Sequence, residues 1–202
     1  MSPNRSSLLL CTLMMVASFG SASAQRRDRL PPPRDPQFYA PRNKLEEFEG
    51  RVDAVLFKGQ TWVGNLRVQN GSARVEAIEI RDTRDSTRAT GVVITINSTE
   101  PSSSPPEIRV LIDYEEIDPL VAAFDTIAKA GDSITRLAHF EARYRTHGDF
   151  EIMSFKEVAG GAIAASVEGG FYERKRLYLN LEELVKLRWM IAQAKEKLDE
   201  IK

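Results

Sequence analysis

Residues 180–202 carry an unbroken helical pattern. Leu184, Leu187, Ile191, Ala194, Leu198 and Ile201 recur at alternating steps of three and four, with no Pro or Gly between them. That spacing lays one apolar stripe along an α-helix. Asn180 stands where an N-cap belongs, and Glu183 where the return half of a capping box belongs. A helix of this kind must bury its stripe, and the chain from about residue 51 reads as strands that need such a cover. The expected class is α+β, with helices covering antiparallel sheets.

From Arg51 the apolar period shortens towards two. Val52, Ala54 and Leu56 alternate along a first run, Lys58-Gly59-Gln60 reads as a turn, and residues 62–68 follow as a strand. Asn70-Gly71 is a hairpin signal, because both residues tolerate positive φ. Residues 75–80, 91–97 and 108–112 read as further strands, with a polar turn at 82–87 and a Pro- and Ser-rich loop at 98–106. A helix is then expected in two pieces, a turn at 114–117 and a main helix with Asp118 as cap. Pro119 suits a first turn and disrupts a helix interior. The second half repeats this order. Residues 140–145, 150–155, 162–167 and 174–179 are expected strands, with turns at 146–149, Gly160-Gly161 and Gly169-Gly170.

The two strand-to-helix junctions match at a constant offset of 67: Asp113 falls on Asn180, Glu116 on Glu183, Ile117 on Leu184, Leu120 on Leu187 and Phe124 on Ile191. Upstream, Val110 and Ile112 fall on Leu177 and Leu179. The expected architecture is two pseudo-repeated units, about residues 60–131 and 137–202, each of about four antiparallel strands followed by one helix. Both belong to one domain spanning residues 45–202.

The N-terminus reads as an export signal. Arg5, the apolar run at 8–17 and Ala22-Ser23-Ala24 form the three-part pattern of a signal peptide over residues 1–24, cleaved after Ala24. Its run is too short for a mature membrane span, which needs about 20 residues. The expected location is the periplasm or the exterior. Residues 25–44 hold five prolines among charges and read as a flexible tether. Cleavage leaves 178 residues, no cysteine and a formal charge of −2. Disulfides, thiolate nucleophiles and thiolate metal sites are thereby excluded, and the near balance of charge argues against a general polyanion binder.

Few residues suggest chemistry. His139 and His147 lack metal-ligand spacing, and the acidic cluster Asp113, Glu115, Glu116 and Asp118 sits at a helix start, where negative charge favours the helix dipole. No Gly-x-Ser-x-Gly and no Gly-x-Gly-x-x-Gly occurs. No cofactor and no catalytic residue is assigned. The sharpest surface candidate interleaves aromatic and basic residues: Arg143, Tyr144 and Arg145, with Tyr172, Arg174 and Arg176. Such residues on strands stack bases and hold phosphates. The order of strands then a helix, twice over about residues 60–202, is similar to the single-stranded DNA-binding fold of the plant whirly proteins. That similarity is of element order, and no diagnostic motif of the family stands in the chain. It implies an oligonucleotide-binding sheet face, from which the export signal points away. Asn70-Gly71-Ser72 and Asn97-Ser98-Thr99 match the glycosylation acceptor pattern.

The C-terminal helix carries a second patch. Leu181, Val185, Trp189 and Ala192 fall beside the main stripe at about 100° per residue. They are expected to meet the preceding helix or the same helix of a second copy, as a homodimer contact. The reading of the whole chain is an exported, non-catalytic binding or structural protein. The alternatives are a hydrolase with scattered carboxylates and a single-stranded oligonucleotide binder.

Overall fold

The computed structural model describes residues 40–99, 107–131, 134–137, 139–156 and 161–202. The signal segment with its cleavage site, the tether up to residue 39, loop residues 100–106 and Gly160 lie outside them. A short helix α1 (Lys44–Glu49) leads into β1 (Leu56–Val68), β2 (Gly71–Asp82), β3 (Arg88–Ser98) and β4 (Glu107–Asp113), which continue directly into α2 (Tyr114–Ala128). Strands β5 (Glu141–Arg145), β6 (Glu151–Lys156), β7 (Ile163–Gly169) and β8 (Lys175–Leu179) follow, and α3 (Leu181–Asp199) closes the chain. Each set of strands forms a four-stranded antiparallel sheet in simple sequence order. The architecture is therefore α+β, with two similar units of four strands and a helix, as the offset of 67 implies. Asp113 and Asn180 are the N-caps of α2 and α3.

Alternation along the strands decides what is buried. The inner faces supply Ala73, Val75, Val92, Ile94, Ile96, Val110 and Ile112 from the first sheet and Ile152, Val167, Leu177 and Leu179 from the second. Between them lie Ile117, Leu120, Phe124 and Ile127 of α2 and Leu184, Leu187, Ile191, Ala194 and Leu198 of α3. Each such Leu, Ile or Phe stabilises the fold by about 1.5–3 kcal/mol relative to exposure. The two helices pack on each other and each touches both sheets: α3 lies on β1, β2 and β3 and reaches β7 and β8, while α2 contacts β3 to β6. Phe124 and Phe150 stack with centroids 6.5 Å apart. The sheets also touch at Gly169, where a methyl group would collide with Val110 and crowd Ile96. Asn70, at the first hairpin, donates to the Arg176 carbonyl at 3.0 Å and accepts from the Tyr178 N–H at 3.1 Å, tying the hairpin to β8.

The outer face of the first sheet has its own cover. Leu45 and Phe48 of α1 pack on Ile78, Ile80, Ala89, Val93 and Leu111. Asn43 caps α1 by accepting from the Glu46 N–H at 2.9 Å, and its amide donates to the Leu111 carbonyl at 2.7 Å. Arg42 pairs with Asp149 in the turn between β5 and β6. Residues 42–44, grouped with the tether by composition, thus contact the fold.

Several local expectations give way. Lys58-Gly59-Gln60 is not a turn, because β1 runs through it, with Lys58 paired to Ile80 and Gly59 to Glu79. The long β2 offers partners along that whole length, and the irregularity falls at Trp62/Gly64 instead. Residues 52–55, expected to be strand, precede it, and Val52 and Val55 are exposed. Helix α2 is one piece through Pro119. Asp118 is not its cap: Glu116 reaches back to the Asp113 N–H at 3.4 Å, and Ile117 and Leu120 are fully buried on either side of the exposed proline. Pro119 has no N–H to give the Glu115 carbonyl one turn back, and the burial of Ile117 and Leu120 outweighs that lost bond. Ile201 falls beyond the end of α3 and is exposed, so the stripe ends at Leu198.

Candidate functional site

The second sheet turns one face away from the core. Ala142 and Tyr144 on β5, Ile152 on β6, Val167 on β7 and Leu177 on β8 point inward. Their strand neighbours therefore share the outer face. Register sets these neighbours in rows across all four strands. Arg145 pairs with Glu151, Glu151 with Glu168, and Glu168 with Arg176. The next row is Arg143, Met153, Ser166 and Tyr178, and the third is Glu141, Phe155 and Ala164.

The central row sets two carboxylates side by side, a destabilising arrangement unless compensated. Arg174, just before β8, compensates it: its Nε lies 2.9 Å from Glu168 Oε1 and its Nη2 3.4 Å from Glu151 Oε2. Arg176 Nη2 holds the other Glu168 oxygen at 2.7 Å, and that pairing raises the Arg176 pKa. Arg143 pairs with Glu141, which likewise raises its pKa, and Arg145 pairs with Asp149. Glu151 and Glu168 are 3% and 9% exposed. Two polar atoms on this face are buried without a hydrogen-bond partner, Glu151 Oε2 and Ser166 Oγ. Beside the rows lies a shallow groove of about 490 Å³, lined by His139, Phe140, Glu141, Met153, Phe155, Lys156 and Arg176.

The structure thus brings together Arg143, Arg145, Arg174 and Arg176 of the candidate surface. Tyr144 is not with them: it faces inward, half-buried against the core, where burial and the nearby Glu116 raise its pKa. Tyr172 lies in the loop before β8, exposed and edge-on to Phe171 at 4.8 Å. The carboxylates Glu151 and Glu168 were missed at the sequence level. Period-two alternation places each on an outward face, but only strand register reveals that they are adjacent.

A second surface lies on α3. Leu181, Val185 and Trp189 are 58%, 51% and 57% exposed, four residues apart along one line, and Ala192 beyond them is half-buried. Helix α2 packs on α3 without covering this line. Between the helices a groove of about 260 Å³ opens, lined by Phe124, Ala128, Leu184, Val185 and Trp189 and bordered by the Arg188–Asp125 ion pair at 2.9 Å.

His147 and the acidic cluster at the start of α2 have structural partners, while His139 lines the groove beside the second sheet. His147 Nδ1 lies 3.0 Å from Glu116 Oε1, which also accepts the His147 N–H at 2.7 Å. Asp113 accepts the backbone N–H groups of Lys44 and Leu45, and Glu115 pairs with Lys44 at 2.7 Å. Among the described residues, no three His, Cys, Asp or Glu side chains are placed to hold a metal ion. No described helix is long and apolar enough to cross a membrane. No family model, curated protein or solved structure matches this chain.

Proposed function

We propose that this is an exported, non-catalytic binding protein that assembles through α3, pairing with a second copy of itself. The observation that carries this reading is the line of Leu181, Val185 and Trp189, more than half exposed on a helix whose other stripe is fully buried. Contiguous exposed apolar side chains mark contact surfaces, and an exposed Trp beside a groove has the character of an interface anchor. The occupant is argued from the arrangement about Val185. If two α3 helices cross antiparallel with their two-fold axis at Val185, Val185 meets its own copy and Leu181 meets the partner's Trp189. The line of Leu181, Val185 and Trp189 thus meets itself, apolar against apolar, as a self-complementary two-fold contact requires. Glu182 and Arg188 flank this line on opposite sides and keep their pairings within the chain, with Lys186 at 2.8 Å and with Asp125 at 2.9 Å.

The oligonucleotide reading has less support. The four outward arginines of the second sheet each face a carboxylate, so that face offers little free positive charge to a phosphate backbone. A hydrolase reading needs an open pair of carboxyl groups, and Glu168 here is held through both oxygens by Arg174 and Arg176.

Sedimentation of the mature chain over a dilution series tests the proposal. The wild type is expected to pass from dimer to monomer, and Trp189→Ala to remain monomeric with its melting temperature little changed. A wild type that stays monomeric up to roughly 100 µM, well above a micromolar dissociation constant, overturns it.

A further inference from the structure

We infer that the outer face of the second sheet is a binding site for a small organic amine carrying an apolar body. This rests on the second sheet alone and is independent of assembly through α3. Glu151 Oε2 and Ser166 Oγ are buried and have no hydrogen-bond partner. The Glu151 side chain is 4% exposed, and Ser166 is fully buried. Leaving such groups unpaired is costly, most of all for a charged oxygen. The nearest cation, Arg174 Nη2, is 3.4 Å from that oxygen and makes no hydrogen bond to it, while its Nε is bound to Glu168 at 2.9 Å. Arg174 thus compensates the charge of Glu151 and leaves its hydrogen-bonding capacity unused.

The chemistry of the missing group follows. Glu151 and Ser166 are diagonal neighbours on β6 and β7, since Ser166 pairs with Met153 and Glu168 with Glu151. Diagonal positions lie about 7–8 Å apart, a span that the long Glu151 side chain and one ammonium group close. A hydrogen-bond donor with positive charge satisfies both atoms, whereas a carboxylate or phosphate there would meet two buried carboxylates. Met153 and Phe155 continue along β6 from Glu151 on the same face and line the adjoining groove of about 490 Å³. The apolar body of the ligand lies over them, with its ammonium group at Glu151. Arg174 precedes β8 rather than lying within it, and it yields its place to the incoming cation while Arg176 keeps Glu168 paired.

Titration of the isotope-labelled mature chain with phenethylamine, 2-phenylethanol and phenylacetate, followed by amide NMR shifts, tests this. Phenethylamine is expected to shift the amides of Glu151, Met153, Ser166 and Glu168 to saturation. The alcohol and the acid are expected to bind at least about tenfold more weakly, and Glu151→Gln to weaken the amine by a similar factor. Arg174→Ala is expected to tighten amine binding, which a merely structural arginine would not do. This variant keeps both carboxylates and decides the matter if Glu151→Gln fails to fold. Equal binding of alcohol and amine, amide shifts that leave β6 and β7 unmoved, an unaffected Glu151→Gln, or weaker binding by Arg174→Ala would each overturn the inference.

Discussion

The carboxylate of Asp113 accepts the backbone N–H of Leu45 at 3.0 Å across 68 residues of chain. Its second oxygen takes the Lys44 N–H at 2.8 Å, so the residue that begins α2 also caps α1. Free N–H groups in a first helical turn need partners, and here they come from the far end of the first sheet. Asp113→Ala should therefore loosen α1 and lower stability by about 1–3 kcal/mol, the cost of leaving buried donors unpaired. Chemical denaturation measures it. A chain starting at residue 40 should melt with the mature protein, and one starting at residue 51 well below it, because it uncovers Ile78, Ile80, Val93 and Leu111.

Asp82 sets an acid limit. It is 1% exposed, accepts from the Arg84 guanidinium and backbone N–H, and pairs with Arg51 at 2.9 Å. Arg84 first, and then Arg51, hold its pKa well below the ordinary carboxylate range. A depressed folded-state pKa contributes stability above the unfolded value, near 3.9, and that stability is lost as pH falls towards the folded value. Melting temperature followed from pH 7 to pH 2 should fall more steeply below about pH 4 in the wild type than in Asp82→Asn. Parallel curves would mean that Asp82 contributes nothing to the acid transition.

Pro119 lies inside α2 on an exposed position. Pro119→Ala should restore a backbone bond to the Glu115 carbonyl and stabilise the protein by about 1–3 kcal/mol, a gain reduced because Ala also frees the unfolded chain. A loss of stability in urea unfolding would show that the proline is favourable where it stands.

What the sequence makes legible follows physical range. The apolar periods and the matched caps at Asp113 and Asn180 are local signals, and they place both helices and the two similar sheets. Gly59 and Pro119 mislead because tertiary pairing with β2 and burial of Ile117 and Leu120 override local preference. The pairing of Asp113 with α1 and the adjacency of Glu151 to Glu168 depend on contacts between distant residues, which no short pattern encodes. Tyr144 illustrates the same limit at short range. It is flanked by two arginines in sequence, yet alternation sends it to the opposite face.

The α3 pairing has its most direct test at Val185, which lies on the two-fold axis and meets its own copy. Val185→Glu sets two carboxylates against each other across the two-fold axis and should weaken association by at least about tenfold, and Val185→Lys should do likewise with two ammonium groups. An equimolar mixture of the two variants sets opposite charges together, and sedimentation over one dilution series should show it associating where neither variant alone does. If the mixture associates no better than either variant alone, or if neither substitution changes the dissociation constant, the antiparallel contact through Leu181, Val185 and Trp189 is contradicted.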